Sequence, residues 1–274
     1  MNWLENLIYG LVSGFAEFLP ISSSAHQQIL LELFGINTAD PLQNLMIHLA
    51  SLFALFVGSR GLIDQLRREQ NILKRNHRGV RVTRSAFELR LLKNAVFPMW
   101  IGFFIFTYFF KIGSSLAWSA FFSVINGIIL FSQGRMMQGN RDEQTMSVLD
   151  SILIGVSGAF SAFPGISRIS AMLTATTARG VDKQKAANWV ILLSIPGVIL
   201  ISGVDILNMI ANPGYINFPS NIFGYILSAI GAYFSGYFSV LLMKSIAVRK
   251  DYSGFAYYSW GIALFSFILY LTVV

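Results

Sequence analysis

The sequence contains no cysteine, which excludes disulfides and thiolate chemistry outright. Charge is scarce as well: only 12% of the 274 residues are Asp, Glu, Lys or Arg, against 54% hydrophobic residues and a mean hydropathy of +0.60. Soluble domains carry about 25% charged residues, so this composition is that of a polytopic membrane protein. The first residues also lack a basic leader region and a small-residue cleavage site. Met1 to Leu11 is therefore expected to belong to the mature fold.

What charge there is has a distinct placement. The formal net charge is +7, and ten of the 20 Lys and Arg fall between Arg60 and Lys93. No nucleic-acid recognition motif accompanies them, so nucleic acid is not expected as a partner. They mark residues 60–93 as a basic cytoplasmic loop that fixes topology and touches anionic lipid headgroups. Aromatic residues make up 14% of the chain, and Trp3, Trp100, Trp118, Tyr257, Tyr258 and Trp260 recur near the ends of apolar stretches, as interface belts do.

Six apolar stretches, about 42–60, 94–111, 117–133, 186–209, 220–243 and 254–274, are long enough to span a bilayer. Residues 2–34 and 148–178 are apolar too, but Pro20 and Pro164, followed by small hydroxylated residues, break each near its middle. With 60–93 inside, the turn 112–116 lies outside and the loop holding Arg135 and Arg141 inside. Arg179, Lys183 and Lys185 are then inside, the uncharged stretch after Ala211 is outside, and Lys244, Arg249 and Lys250 are inside again. On this threading 148–178 begins and ends inside, whereas 1–40 begins and ends outside. They read as re-entrant hairpins entering from opposite faces.

The expected fold is therefore an all-α polytopic membrane protein with six transmembrane helices and two re-entrant helical hairpins. Its two halves form an inverted-topology repeat, about 1–135 and 148–274, within one integral membrane domain spanning 1–274. A trace of duplication survives, because Val12-Ser13-Gly14 recurs as Val156-Ser157-Gly158, Pro20 as Pro164 and Ser23 as Ser167, all at one constant offset.

Polar groups at bilayer depth cost several kcal/mol each unless partnered, so the run Glu17 to His26 reads as a functional site. It places Glu17, Ser22, Ser23, Ser24 and His26 around Pro20, and the hairpin geometry sets them against Gly165, Ser167 and Arg168. A guanidinium and backbone N–H groups at a helix start suit an anionic head group. Blander readings exist: Glu17 as a structural partner of Arg168, His26 as a packing histidine, Ser22 or Ser24 as the cap of the helix carrying His26. His48 is expected to bond a neighbouring helix, and Asp205, near the outer end of its span, to reach water. One carboxylate and one histidine fall short of a two-metal site. A phosphate-bridged Mg²⁺ or Ca²⁺ held by Glu17 and waters is chemically reasonable, and no cofactor is required.

At these residues the chain resembles the undecaprenyl-diphosphate phosphatase, or bacitracin-resistance protein, family. Ser13-Gly14-Phe15-Ala16-Glu17-Phe18-Leu19-Pro20-Ile21-Ser22-Ser23-Ser24-Ala25-His26 is similar to E-G-x-T-E-F-L-P-[IV]-S-S-T-G-H, and Pro164-Gly165-Ile166-Ser167-Arg168-Ile169-Ser170-Ala171-Met172 to P-G-x-S-R-S-G-A-T. The resemblance implies hydrolysis of the polyprenyl lipid undecaprenyl diphosphate, recycling the cell-wall carrier lipid in a bacterial cell membrane, with the site opening to the outer face. It places Glu17, Ser23, His26 and Arg168 on the catalytic positions, with Ser13, Ser22, Ser24, Gly165 and Ser167 binding substrate. Ser23, activated by His26 three residues on, is the expected nucleophile, with Glu17 orienting His26 or holding a cation; a Glu17-bound water is the other candidate. The chain departs from the pattern at Ser13, where the family has the first glutamate of E-x-x-x-E, and at Ile169, Met172 and Ser259. That departure keeps a second function in view: a transporter of polyprenyl phosphate with little or no hydrolysis. A non-catalytic scaffold is disfavoured, since it leaves the burial of Glu17, His26 and Arg168 without purpose.

Overall fold

The computed structural model describes residues 1–274 except 76–83, 111–112, 114, 142–144, 212–217, 250 and 274. Its named elements are helices: α1 (Trp3–Glu17), α2 (Ser23–Leu33), α3 (Pro41–Gly58), α4 (Arg60–Arg75), α5 (Arg84–Phe110), α6 (Leu116–Arg135), α7 (Val148–Ala159), α8 (Arg168–Ala178), α9 (Lys183–Ala211), α10 (Phe218–Arg249) and α11 (Ser253–Val273). A short 3₁₀ turn, Phe160–Ala162, follows α7. Six helices, α3, α5, α6, α9, α10 and α11, are long and apolar enough to cross a membrane, and they coincide with the six stretches expected from hydropathy. The chain is a multi-pass membrane protein.

Local chemistry sets the helix starts. Asn2 and Glu5 form a capping box at α1, Ser147 and Asp150 another at α7, and Asp40 caps α3 with Pro41 in the first turn. Both prolines break the helix where expected: α1 stops at Glu17 before Pro20, and the helical turns after α7 stop at Ala162 before Pro164. Each break yields a pair of short helices, α1–α2 and α7–α8, around a non-helical tip.

The segment read as a basic loop departs from expectation in its secondary structure, since residues 60–75 and 84–93 are helical. Leu62, Ile63 and Leu66 recur at helical spacing opposite Arg60, Arg67 and Arg68, and Leu62 packs on the core. Counting charge does not show an amphipathic shape, which depends on the spacing of the apolar residues.

Close packing seats the short helices. A side chain at Gly10 or Gly14 of α1 would strike the backbone of α10 at Ser228 and Ala232, and one at Gly155 of α7 would strike Ala95 of α5. The buried core gathers Leu19, Met99, Met172, Val190 and Met243 around the hairpin tips. Large apolar side chains cover the outside, with Phe97 74% and Phe109 82% exposed, as a lipid-facing surface requires.

Candidate active site

The two tips interlock. The Gly165 N–H donates to Ser22 Oγ at 3.1 Å, and Ser167 Oγ donates to the Leu19 carbonyl at 3.2 Å. Gly165 has φ +110°, and a Cβ there would lie 2.7 Å from the Ser119 carbonyl oxygen, so only glycine fits this close approach. Asn126 of α6 bridges both tips: its amide donates to the Pro20 carbonyl at 3.3 Å, and its oxygen accepts from the Ser167 N–H at 3.0 Å and from Ser170 Oγ.

Between the tips lies a polar cavity of about 120 Å³. Glu17, Ser22, Ser23, Ser24, Ser167 and Arg168 all line it, so most of the expected constellation comes together. Ser22 is the N-cap of α2, accepting from the Ala25 N–H, and Ser24 Oγ sits 3.0 Å from its hydroxyl. Ser167 caps α8, whose first residue is Arg168.

Ser23 Oγ donates a hydrogen bond to Glu17 Oε2 at 2.8 Å. Arg168 is 8% exposed, and its Nη1 stands 3.8 Å from Glu17 Oε1, too far for a hydrogen bond. Among the described residues the guanidinium donates no hydrogen bond, so a buried fork of five donors faces the cavity unspent.

The expected pairing of Ser23 with His26 is not what the structure forms. His26 Nδ1 bonds the Ser22 carbonyl at 2.6 Å, which fixes its proton there, and Nε2 accepts from Tyr258 Oη at 2.7 Å. The His26 and Tyr258 rings stack with centroids 5.7 Å apart. Both nitrogens are occupied and the ring is not among the cavity's lining residues, because α2 points position 26 toward α11 instead. Glu17 likewise meets Ser23 and Arg168, not His26.

Ser13 and Gly165 stand just behind the lining. Ser13 is 2% exposed and its hydroxyl accepts from Gln27 Nε2 at 3.1 Å, so a neutral pair occupies the place of the expected first glutamate. Ser259, where the family pattern has arginine, is buried and accepts from the Asn126 amide at 2.9 Å.

Asp205 does not reach water. It is 7% exposed and its Oδ2 lies 2.6 Å from His48 Nδ1, and His48 itself lines the cavity. Three further positions escaped the sequence reading, Asn126, Gln27 and Gly197, whose missing side chain leaves room for the Arg168 guanidinium, and Tyr258, read as an interface aromatic, bonds His26 instead. A lone asparagine within a span and a Pro196-Gly197 pair inside α9 were the available signals. Beside the polar cavity, sharing Ile21 with it, a groove of about 730 Å³ runs along α1, α10 and α11 past Phe15, Leu242 and Phe255.

The sequence matches the family described as bacitracin resistance protein BacA over residues 6–265. The chain belongs to the BacA family. Undecaprenyl-diphosphatase 3 of Bacillus cereus is 30% identical to this BacA-family chain over 281 residues, covering all of both proteins. Undecaprenyl-diphosphatase of Thermosipho melanesiensis is 30% identical over 275 residues, spanning 96% of this chain and 98% of that one. That of Carboxydothermus hydrogenoformans is 28% identical over 263 residues, spanning 95% and 94%. The BacA match runs through both interlocked tips and every residue of the cavity.

Proposed function

We propose that this chain is a membrane phosphatase that cleaves undecaprenyl diphosphate to undecaprenyl phosphate and inorganic phosphate, returning the carrier lipid to cell-wall synthesis. The observation that carries this reading is the unspent Arg168 guanidinium opposite a serine already bonded to a carboxylate. Arg168, with the first amides of α8, receives the terminal phosphate and stabilises the charge spread over it in transfer. Ser23 Oγ gives its proton to Glu17 and bonds phosphorus, the bridging P–O bond breaks, and undecaprenyl phosphate leaves. The apolar groove beside the cavity supports a long-chain lipid over a soluble diphosphate.

Gly165 and Ser167 hold the tips together, Ser22 and Ser24 offer hydroxyls to the phosphates, and His26 and Ser13 position the hairpin from behind. Glu17 faces Arg168, and among the described residues no group of three or more His, Asp and Glu side chains gathers. A divalent cation would enter with the diphosphate, sharing Glu17 at most. The same reading has the chain in the bacterial cell membrane with its site opening outward; the positive charge of the 60–93 segment, which favours an inside location, supports that orientation. The names of the relatives and the Ser23–Glu17 bond favour hydrolysis over transport.

Phosphate release from purified protein in detergent tests the reading, with and without chelator and added Mg²⁺. Arg168→Ala is expected to lose roughly 10³-fold in turnover, the scale of an arginine that stabilises phosphoryl transfer, and Ser23→Ala to abolish it. Wild-type rates in both variants overturn the assignment; lipid movement without phosphate release would favour the transporter.

A further inference from the structure

Resting on that reading, we infer that His48, held by Asp205, is a second acid–base group of the cavity and activates the water that clears phosphate from Ser23.

The pair joins two spanning helices, His48 on α3 and Asp205 on α9, with both side chains 9% exposed. A carboxylate carries no proton to give, so the 2.6 Å contact fixes hydrogen on Nδ1. Nε2 then keeps its lone pair, and among the described residues it has no hydrogen-bond partner although the residue lines the cavity. His26 presents the opposite case, with both nitrogens engaged outside the cavity. Burying an ionisable pair between spans costs several kcal/mol, more than packing alone needs from a histidine. The ring has the orientation that a buried carboxylate imposes on a general base.

The chemistry needs such a group. Once Glu17 has taken the Ser23 proton it is a neutral acid and cannot also activate water. Position 13 offers only a hydroxyl bonded to Gln27, so it supplies no carboxylate for the task. His48 is the remaining titratable base lining the cavity, with Glu17 of α1 and Arg168 of α8 within electrostatic reach of its ring and Tyr9 of α1 within reach of Asp205. In the second step a water gives a proton to Nε2 while its oxygen bonds phosphorus. The P–Oγ bond breaks, Oγ recovers the proton from Glu17, and inorganic phosphate leaves. The imidazolium, stabilised by Asp205, returns its proton to solvent.

The test uses purified full-length protein and polyprenyl diphosphate labelled on the terminal phosphate. In His48→Asn, steady-state phosphate release is expected to fall about 10²- to 10⁴-fold, while the first turnover still yields polyprenyl phosphate and leaves label on Ser23. Wild-type release in this variant, or loss of the first-turnover product together with it, overturns the inference. Asp205→Asn covers the case in which His48→Asn does not fold: it retains an acceptor for Nδ1 but not the charge. It is expected to slow release and to shift a limb of the pH–rate profile, and an unchanged rate with an unshifted profile sinks the proposal. Failure of the wild-type protein to release phosphate would instead overturn the phosphatase reading, so the two failures are separable.

Discussion

Arg168 shows how much of a site rests on a residue that does nothing but stay small. Its guanidinium lies against Gly197 of α9, where an added Cβ would overlap Nη1. The obstructed atom is the end of a long side chain, so Gly197→Ala displaces the guanidinium without forcing the helices apart. A misplacement of about 1 Å costs on the order of 10²-fold in rate. Phosphate release is thus expected to fall by that order while the melting temperature in detergent stays put; an unaltered rate would show that Arg168 is not the phosphate ligand. The distinction between legible and hidden residues has a physical basis here. Glu17, Ser23 and Arg168 stand out because charge and hydroxyl groups at bilayer depth need a reason. Gly197, Tyr258 and Asp205 acquire meaning only from partners far away in sequence, which one chain read in order does not pair. His26 misled for a related reason: three residues from Ser23 is the spacing of neighbours on one helical face, yet Ser23 is the first residue of α2 and its hydroxyl turns back to Glu17.

At the scale of elements, each hairpin tip exposes backbone groups that no helix satisfies, and at membrane depth these must be paired within the protein. Asn126 supplies much of that pairing from α6, touching Pro20 on one tip and Ser167 on the other. It is 1% exposed, so water does not substitute for it. Asn126→Leu keeps the volume but orphans the Pro20 carbonyl, the Ser167 N–H and the Ser259 hydroxyl, at about 1–3 kcal/mol for each buried group left unpaired. Thermal unfolding in detergent is expected to show that loss together with a fall in turnover, because Ser23 and Arg168 no longer share a fixed frame. Stability and rate both at wild-type level would remove Asn126 from the account. The helices themselves were largely legible: six hydropathy maxima became six apolar helices, and the proline breaks fell where proline must break them. What hydropathy could not carry was the helical form of 60–75, whose polar face hides a narrow apolar stripe.

For the whole molecule, the packing partners exchange between the two halves, a pattern that the proposed inverted repeat would produce. With α3, α5 and α6 as the spans of one half and α9, α10 and α11 as those of the other, α1 packs on α10 and α7 on α5. First span meets first span, α3 with α9, and third meets third, α6 with α11. The proposed inverted repeat has the two hairpins enter from opposite faces, and the positive-inside reading of the basic residues predicts the first entry outside and the second inside. The absence of cysteine makes this directly measurable, since a single introduced thiol has no background. Asn37, exposed after α2, and Met137, 90% exposed after α6, flank the two hairpins. In intact cells Asn37→Cys is expected to react with a membrane-impermeant maleimide, and Met137→Cys only after permeabilisation. The reverse pattern would keep the repeat but turn the molecule over, placing the cavity's access on the inner face. Labelling of both from outside would mean that the hairpins share one face, and Arg168 would then reach Glu17 by some arrangement other than an inverted repeat.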